Sequence, residues 1–376
     1  MKVSLLFENL SKKISFVNHA VSARSQLPIL LNFLIEAKKG KLSISATDLE
    51  IGISADIPAK IEEEGRITVP AKTLTELITA TPLKKIVLET RPEGLSLTGE
   101  KVKTVFQTTA ADEFPMLYEE KGKETMNFEK ENIERDLSRV VFAASQDTER
   151  PALSGVLIKE EKDGFLLVAT DGYRLSLKKN ALGKKEKSEE GESIAVIVPA
   201  RAIRELILMG KEEGGESISV YSSAEKNQII FSKDDITLVG RLIEAEFPSY
   251  EKIIPEDHSV KTVFRREELQ KAVKASYVFA RQKANIVKLA IKKEAIIVSA
   301  DAPSVGESTI EVDAKTTGEE NEIAFNARYL LDFFSNITED EVSFEMTGPL
   351  NPGVFKAAGD DSFLHLIMPI RVQSEA

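Results

Sequence analysis

A ten-residue pattern recurs three times along the chain, as "VPAKTLTELI" from residue 69, "VPARAIRELI" from 198 and "FNARYLLDFF" from 325. In each copy the apolar residues fall on one helical stripe: Leu74, Leu77 and Ile78, then Ile203, Leu206 and Ile207, then Leu330, Phe333 and Phe334. Pro70 and Pro199 stand where a helix begins, a place where the missing N–H costs nothing. Upstream lies a second helical stripe. Leu10, Ile14, Val17 and Val21 are repeated 123 residues later by Ile133, Leu137, Val140 and Ala144, and again by Leu269, Val273, Ser276 and Ala280. Between the stripes runs a hairpin that ends in aspartate: "LSISATD" (42–48), "LLVATD" (166–171) and "IIVSAD" (296–301). Such a chain has to fold as tandem copies of one unit.

Each unit reads as helix, hairpin, further strand, helix and strand meander. The expected fold is therefore α+β: three tandem domains, each with two helices packed on antiparallel sheets. Boundaries are expected to give domains 1–123, 124–256 and 257–376, because "EEKGKE" (119–124) and "PEDHSVK" (255–261) are polar and suit linkers. The charge-rich "GKKEKSEEGE" (183–192) reads as a loop inside the second unit, without a function of its own.

Little in the chain suggests chemistry. Cysteine is absent, which removes disulfides, thiolate metal sites and a cysteine nucleophile. No apolar run approaches the 18 residues of a membrane span and no signal peptide is evident, so a cytoplasmic protein is expected. The three histidines, His19, His258 and His365, occupy non-equivalent positions, and no phosphate-binding loop or dinucleotide fingerprint occurs. No cofactor, no metal and no enzymatic activity are expected. Asp48, Asp171 and Asp301 would serve a hydrolase as a carboxylate cluster, but equivalent positions of tandem domains lie far apart. Satisfying the amides of their own turns suits them better.

The second unit differs from its sisters immediately after the aspartate. It carries Gly172-Tyr173-Arg174, where the first has Leu49-Glu50-Ile51 and the third Ala302-Pro303-Ser304. Two readings are open: a task confined to this place, or a turn that merely covers the core.

The order of several segments on three repeats resembles the β sliding clamps of bacterial DNA polymerase III. These are "LPILLNFLIE" (27–36) with "SATDLE" (45–50), "VATDGYRLS" (168–176), "EFPSYEKIIP" (246–255) and "LIMPIRV" (366–372). The resemblance covers essentially the whole chain. Two features depart from it: Tyr173 stands where many members have histidine, and "QSEA" follows the usual C-terminal end.

The resemblance implies a head-to-tail homodimer, a closed ring of six similar domains around double-stranded DNA that is bound without sequence preference. It also implies peptide partners: the DNA polymerase III catalytic subunit, the clamp loader and other proteins with a clamp-binding motif. Twelve helices about 10 Å apart would line a hole of roughly 28 Å, wide enough for a duplex. Carried over by motif, the peptide cleft would comprise Leu153, Thr170, Gly172, Tyr173, Arg174, Leu175, Pro248, Ile253, Tyr329, Leu366, Met368, Pro369, Ile370 and Arg371. For "LIMPIRV" a plain terminal core strand is the alternative. Ring closure would bring Phe106 against Val278 and Phe279.

Charge distribution fits this picture although the chain as a whole is −11. Residues 9–24 carry three bases and no acid, 199–211 three bases and one acid, and 265–283 six bases and two acids. Arg24, Arg201, Arg204, Lys271 and Lys274 are the candidates to face DNA, through weak, salt-dependent phosphate contact. A non-catalytic scaffold or adhesion protein remains the competing reading, but it gives no reason to concentrate bases on these helices.

Overall fold

The computed structural model describes residues 1–22, 25–38, 40–118, 120–122, 124–147, 149–162, 164–182, 195–223 and 227–371. Arg24, the loop 183–192 and the segment "QSEA" lie outside the described residues. Six α-helices are present among them: α1 (Phe7–Val17), α2 (Ala71–Ala80), α3 (Lys130–Val141), α4 (Ala200–Lys211), α5 (Arg266–Ala280) and α6 (Ala327–Ser335). They begin at the repeated stripes. Leu10, Ile14 and Val17 are buried on α1, and Leu269, Val273, Ser276 and Ala280 on α5. Val21 departs from expectation, since α1 ends at Val17 and a 3₁₀ turn, Asn18–Ala20, follows it. Pro70 is the N-cap residue of α2, while Asn326 caps α6 by accepting a hydrogen bond from the Arg328 N–H at 3.0 Å.

All strand pairs among the described residues are antiparallel. One sheet has five strands in the order Lys60–Glu63, Lys2–Leu6, Lys85–Arg91, Gly94–Gly99 and Val102–Phe106. A second has eight: Met126–Glu129, Ser217–Ser223, Gln228–Lys233, Ile236–Arg241, Ile51–Pro58, Lys41–Thr47, Asn32–Lys38 and Gly65–Pro70. A third, of twelve strands, runs from Ala195–Pro199 to Asn321–Asn326 and contains the pair Arg174–Ala181 and Phe363–Ile367.

By contacts the chain forms two compact units, one of residues 1–131 with 201–242 and the other of 132–200 with 243–376. The sequence repeats and the compact units therefore differ, and the sheets supply the reason. In the first unit Ile236–Arg241, from the second repeat, continues the sheet of Ile51–Pro58, from the first. In the second unit Arg174–Ala181, from the second repeat, continues into Phe363–Ile367, from the third. Both joints pair strand edges that would otherwise be left open.

The core of the second unit is rich in aromatic side chains. Phe325, Phe333, Phe344, Phe355 and Phe363 are fully buried, with the Phe344 and Phe355 rings 4.7 Å apart. Packed rings of this kind contribute about 0.5–1.5 kcal/mol per pair beyond their buried area. That rigid layer underlies the strand Phe363–Ile367 and fixes where Met368 leaves the sheet.

Candidate functional site

The Gly-Tyr-Arg segment is the outer face of a tightly determined turn. Thr170 Oγ1 donates to the Arg174 carbonyl at 2.6 Å and accepts from the Gly172 N–H at 3.0 Å. Asp171 Oδ1 accepts from the N–H groups of Tyr173 and Arg174, at 2.9 and 3.0 Å. Gly172 sits at φ 91°. The first repeat builds the same turn, where Thr47 donates to Ile51, Leu49 donates to Thr47, and Asp48 Oδ1 accepts from Glu50 and Ile51. Two of the three aspartates are thus turn builders, as their residue type suggested. Asp301 differs. It lies inside the strand Ala295–Ala302, opposite Glu307, and pairs with Lys283 at 2.8 Å. Two residues beyond it stands Pro303, which has no N–H to offer a carboxylate.

Around the turn in the second unit, the candidate cleft residues divide into a surface and a frame. Tyr173, Ile253 and Met368 expose large apolar side chains, with Tyr173 at 62%. Pro248, Gly172 and Arg371 are exposed too, while Leu153, Tyr329, Pro369 and Ile370 are partly covered. The Met368 N–H donates to the Tyr173 carbonyl at 2.8 Å and the Ile370 N–H to the Ala324 carbonyl at 2.8 Å, which pins the segment on both sides of Pro369. Among the described residues no hydrogen bond or ion pair links Leu153, Pro248 or Ile253 to the rest of the set.

Four of the expected wall residues belong to the frame. Leu175 and Leu366 are paired in register and buried in one cluster with Val168, Leu177, Tyr250 and Val354. Thr170 is buried at the turn. Arg174, expected to face a ligand, is buried and turned inward. Its guanidinium donates to Asp171 at 3.0 Å, Asp332 at 2.6 Å and the Phe142 carbonyl at 2.9 Å, and it lies 4.6 Å above the Tyr329 ring. Three of its five N–H donors are thus engaged within the fold, and the Tyr329 and Phe142 rings cover the cation, so Arg174 holds the frame rather than offering an open charge. Burial, with the Asp171 carboxylate nearby, raises the Tyr329 phenol above its ordinary pKa. Asp332 and Phe142 carry no local sequence signal for this role, because only the tertiary fold brings them to Arg174. The segment "LIMPIRV" combines both readings: Leu366 and Ile367 end a core strand, and from Met368 onward the chain is on the surface.

A serine–histidine pair does exist: Ser176 Oγ and His365 Nδ1 are 2.7 Å apart. Both residues are entirely buried, and His365 lies flat against Phe333 at 5.2 Å. Burial, and then the Arg174 cation, hold the imidazole pKa well below its usual value. No substrate could reach this pair. Among the described residues no group of three or more His, Cys, Asp or Glu side chains could hold a metal ion.

Of the candidate DNA-facing bases, Arg204 and Lys274 are exposed and carry no carboxylate partner among the described residues. Lys271 is exposed beside Glu267 at 3.5 Å, an ordinary one-turn helix pair. Arg201 does not fit the expectation, because its guanidinium is bound by the Asp48 carboxylate and donates to the His19 carbonyl at 3.0 Å. Its charge is already spent within the fold.

Of the open strand edges among the described residues, two bear on the expected joint. Val102–Phe106 is the outermost strand of the five-stranded sheet, with Phe106 buried and Val105 exposed by the alternation of the strand. In the other unit the long strand Gly306–Gly318 changes partner: 306–313 pair with Ala295–Ala302 on one side, and 314–318 with Val260–Phe264 on the other. The second edge of 306–313 is unpaired. Beside its start lies Phe279, partly covered at the end of α5, whose ring is 3.8 Å from where a Cβ on Gly306 would stand, and its neighbour Val278 is exposed.

The family models for the DNA polymerase III beta subunit match along the chain in order: the N-terminal domain over residues 1–118, the central domain over 127–249 and the C-terminal domain over 251–371. A beta sliding clamp from Synechocystis is 30% identical over 392 residues, covering 99% of this chain and 100% of its own length. Among solved structures, the DNA polymerase sliding clamp of Bacillus subtilis is 26% identical with a TM-score of 0.92, covering 99% of this chain and 100% of its own. The DNA polymerase III beta subunit of Thermotoga maritima is 28% identical with a TM-score of 0.89, over the same shares of the two chains. Among the described residues no helix is long and apolar enough to cross a membrane. The three repeats are the three domains of a known architecture, and the chain belongs to the DNA polymerase III beta subunit family.

Proposed function

We propose that this chain is a DNA sliding clamp: two copies join head to tail into a ring of six domains, bounded at 1–123, 124–256 and 257–376, that encircles duplex DNA. The ring is a tether in the cytoplasm and catalyses no step itself. Its partners are the replicative polymerase, the clamp loader and other proteins with short apolar docking peptides, which gain processivity because a closed ring stays on its track without binding tightly.

The observation that carries the ring is the pair of open strand edges. Lys101 and Lys103 flank or lie on the first, while Glu307, Glu311 and Asp313 lie along the second. Two copies joined edge to edge would hide both and neutralise these charges. Exposed Val278, with Phe279 and the Val102–Phe106 strand, would supply the apolar part of the joint. Exposed Arg204, Lys271 and Lys274 support contact with phosphates, and Tyr173, Ile253 and Met368, on their rigid frame, support peptide docking.

Light scattering tests the ring. Wild type should return twice the chain's 41.5 kDa, and Lys103→Glu should shift the mass toward one copy. Protein loaded on nicked circular DNA should stay, and should leave once the circle is cut. A monomer at micromolar concentration, or retention that survives linearisation, would refute the ring.

A further inference from the structure

In the first unit the turn at Asp48 borders a cavity of about 320 Å³, lined by Thr47, Leu49, Glu50, Pro115, Met116, Leu117, Asn227, Gln228, Val239 and Arg241 among others. Three features of its wall point to a ligand. Leu49 holds a left-handed backbone at φ 79° and leaves its side chain 51% exposed at the cavity. A leucine in that conformation costs about 1–2 kcal/mol, and the sister turn avoids the cost with Gly172. Met116 is 74% exposed beside it. Finally, Arg241 is exposed and has no carboxylate partner among the described residues, although its backbone N–H is fixed to the Glu50 carbonyl at 3.0 Å.

Two neighbouring amide side chains help to build the walls. Gln228 Nε2 donates to the Leu117 carbonyl at 3.2 Å and Asn227 Nδ2 to the Leu242 carbonyl at 3.1 Å. The rim carboxylate of Glu50 lies 3.9 Å from Arg201, which also holds Asp48. Gly52 lets the Leu117 side chain lie against the strand, because a Cβ there would stand 2.6 Å from its Cδ2. What is left for a ligand is a small recess of mixed lining, with apolar Leu49 and Met116 at its mouth and, among the described residues of its wall, one cation without a carboxylate partner.

We infer that this cavity is a second docking site, for a short peptide that ends in apolar side chains and a free carboxylate: the side chains enter between Leu49 and Met116, and the carboxylate meets Arg241. The volume suits one or two side chains, at the small end of ligand pockets. The inference stands on the first unit alone and does not require that the Tyr173–Met368 surface bind anything.

The chain has six methionines, so methyl-labelled methionine gives a spectrum in which Met116 reports this cavity and Met368 the other surface. The probes are acetyl-Ser-Leu-Leu with a free carboxylate, the same peptide as its C-terminal amide, and octanoate. The acid should move the Met116 signal saturably, leaving Met368 unmoved or moved with a different midpoint. Arg241→Gln, and separately the amide, should weaken that binding about tenfold. Leu49→Gly should weaken it as well, while the other methyl signals stay in place. The inference is overturned if Met116 does not respond up to about 10 mM peptide. It is also overturned if the amide binds as well as the acid, if octanoate binds better than the peptide, or if Met116 shifts with protein concentration alone, which would mark a second copy as occupant.

Discussion

Leu49 and Gly172 hold the same left-handed backbone conformation, φ 79° and φ 91°, at the same place in turns 123 residues apart. The turns are otherwise superposable in their hydrogen bonds, so the pair isolates the cost of a side chain at this position. A Cβ on Gly172 would meet nothing nearer than Arg150 Nη1 at 3.8 Å, so Gly172→Ala should lose stability through backbone strain alone, about 1–2 kcal/mol. Leu49→Asn should gain up to about 1 kcal/mol, because asparagine tolerates this region. Urea midpoints followed by circular dichroism read both, and equal effects of opposite sign to these would show that the turns are not equivalent.

Arg174 is a positioning residue. With Asp171, Asp332 and the Phe142 carbonyl around it, Arg174→Met would take the donor from the largely covered Asp171 and from the half-exposed Asp332, and should destabilise the protein by about 1–3 kcal/mol. Peptide affinity at temperatures where the variant is folded should fall through misplacement of Tyr173 and Tyr329. A variant that is fully stable yet cannot bind peptide would restore Arg174 to the cleft wall.

The end of the chain separates docking from folding. Truncation after Ile367 removes Met368 but leaves the strand Phe363–Ile367 whole, so a folded protein without peptide binding is expected. Truncation that also takes Leu366, fully buried opposite Leu175, should cost a further 2–5 kcal/mol or more as the cluster opens. Thermal melts and a peptide titration on the two truncations distinguish them.

The bases also separate. Arg204→Gln and Lys274→Gln should each lower the slope of log affinity against log salt for duplex DNA by roughly 0.9, the contribution of one phosphate contact. Arg201→Gln should leave that slope unchanged and reduce stability instead, since Arg201 is paired with Asp48. Equal slopes for all four proteins would remove Arg204 and Lys274 from the DNA surface.

His365 should make the fold sensitive to mild acid. Burial, then Arg174, hold its pKa in the folded protein well below that of the unfolded chain, about 6.5. The unfolded chain therefore binds a proton that the folded one refuses. Stability is full above about pH 7 and falls as pH drops through 6.5, by at most about 1.4 kcal/mol per pH unit. His365→Asn keeps a polar partner for Ser176 and should flatten that slope between pH 6.5 and 5. An unchanged slope would assign the sensitivity to another group.

Much of this protein was legible in its sequence because the relevant signals are local. Helix stripes such as Leu269, Val273, Ser276 and Ala280 depend on 3.6-residue periodicity, and the turns at Asp48 and Asp171 depend on side chains bonding to amides two and three residues away. Even the exception at Asp301 is local, since Pro303 lacks the N–H. What the tertiary structure decided are the relations between residues distant in sequence. Pairing of Arg174–Ala181 with Phe363–Ile367, and of Ile236–Arg241 with Ile51–Pro58, made two compact units out of three repeats, because an open strand edge is satisfied by whichever edge the fold presents. The same long-range packing turned Arg174 inward to Asp332 and gave the Arg201 charge to Asp48, while Arg241 has no carboxylate partner among the described residues. A residue's type states what it can bond to, but a charge is spent or unspent according to which partners the fold brings within about 3 Å.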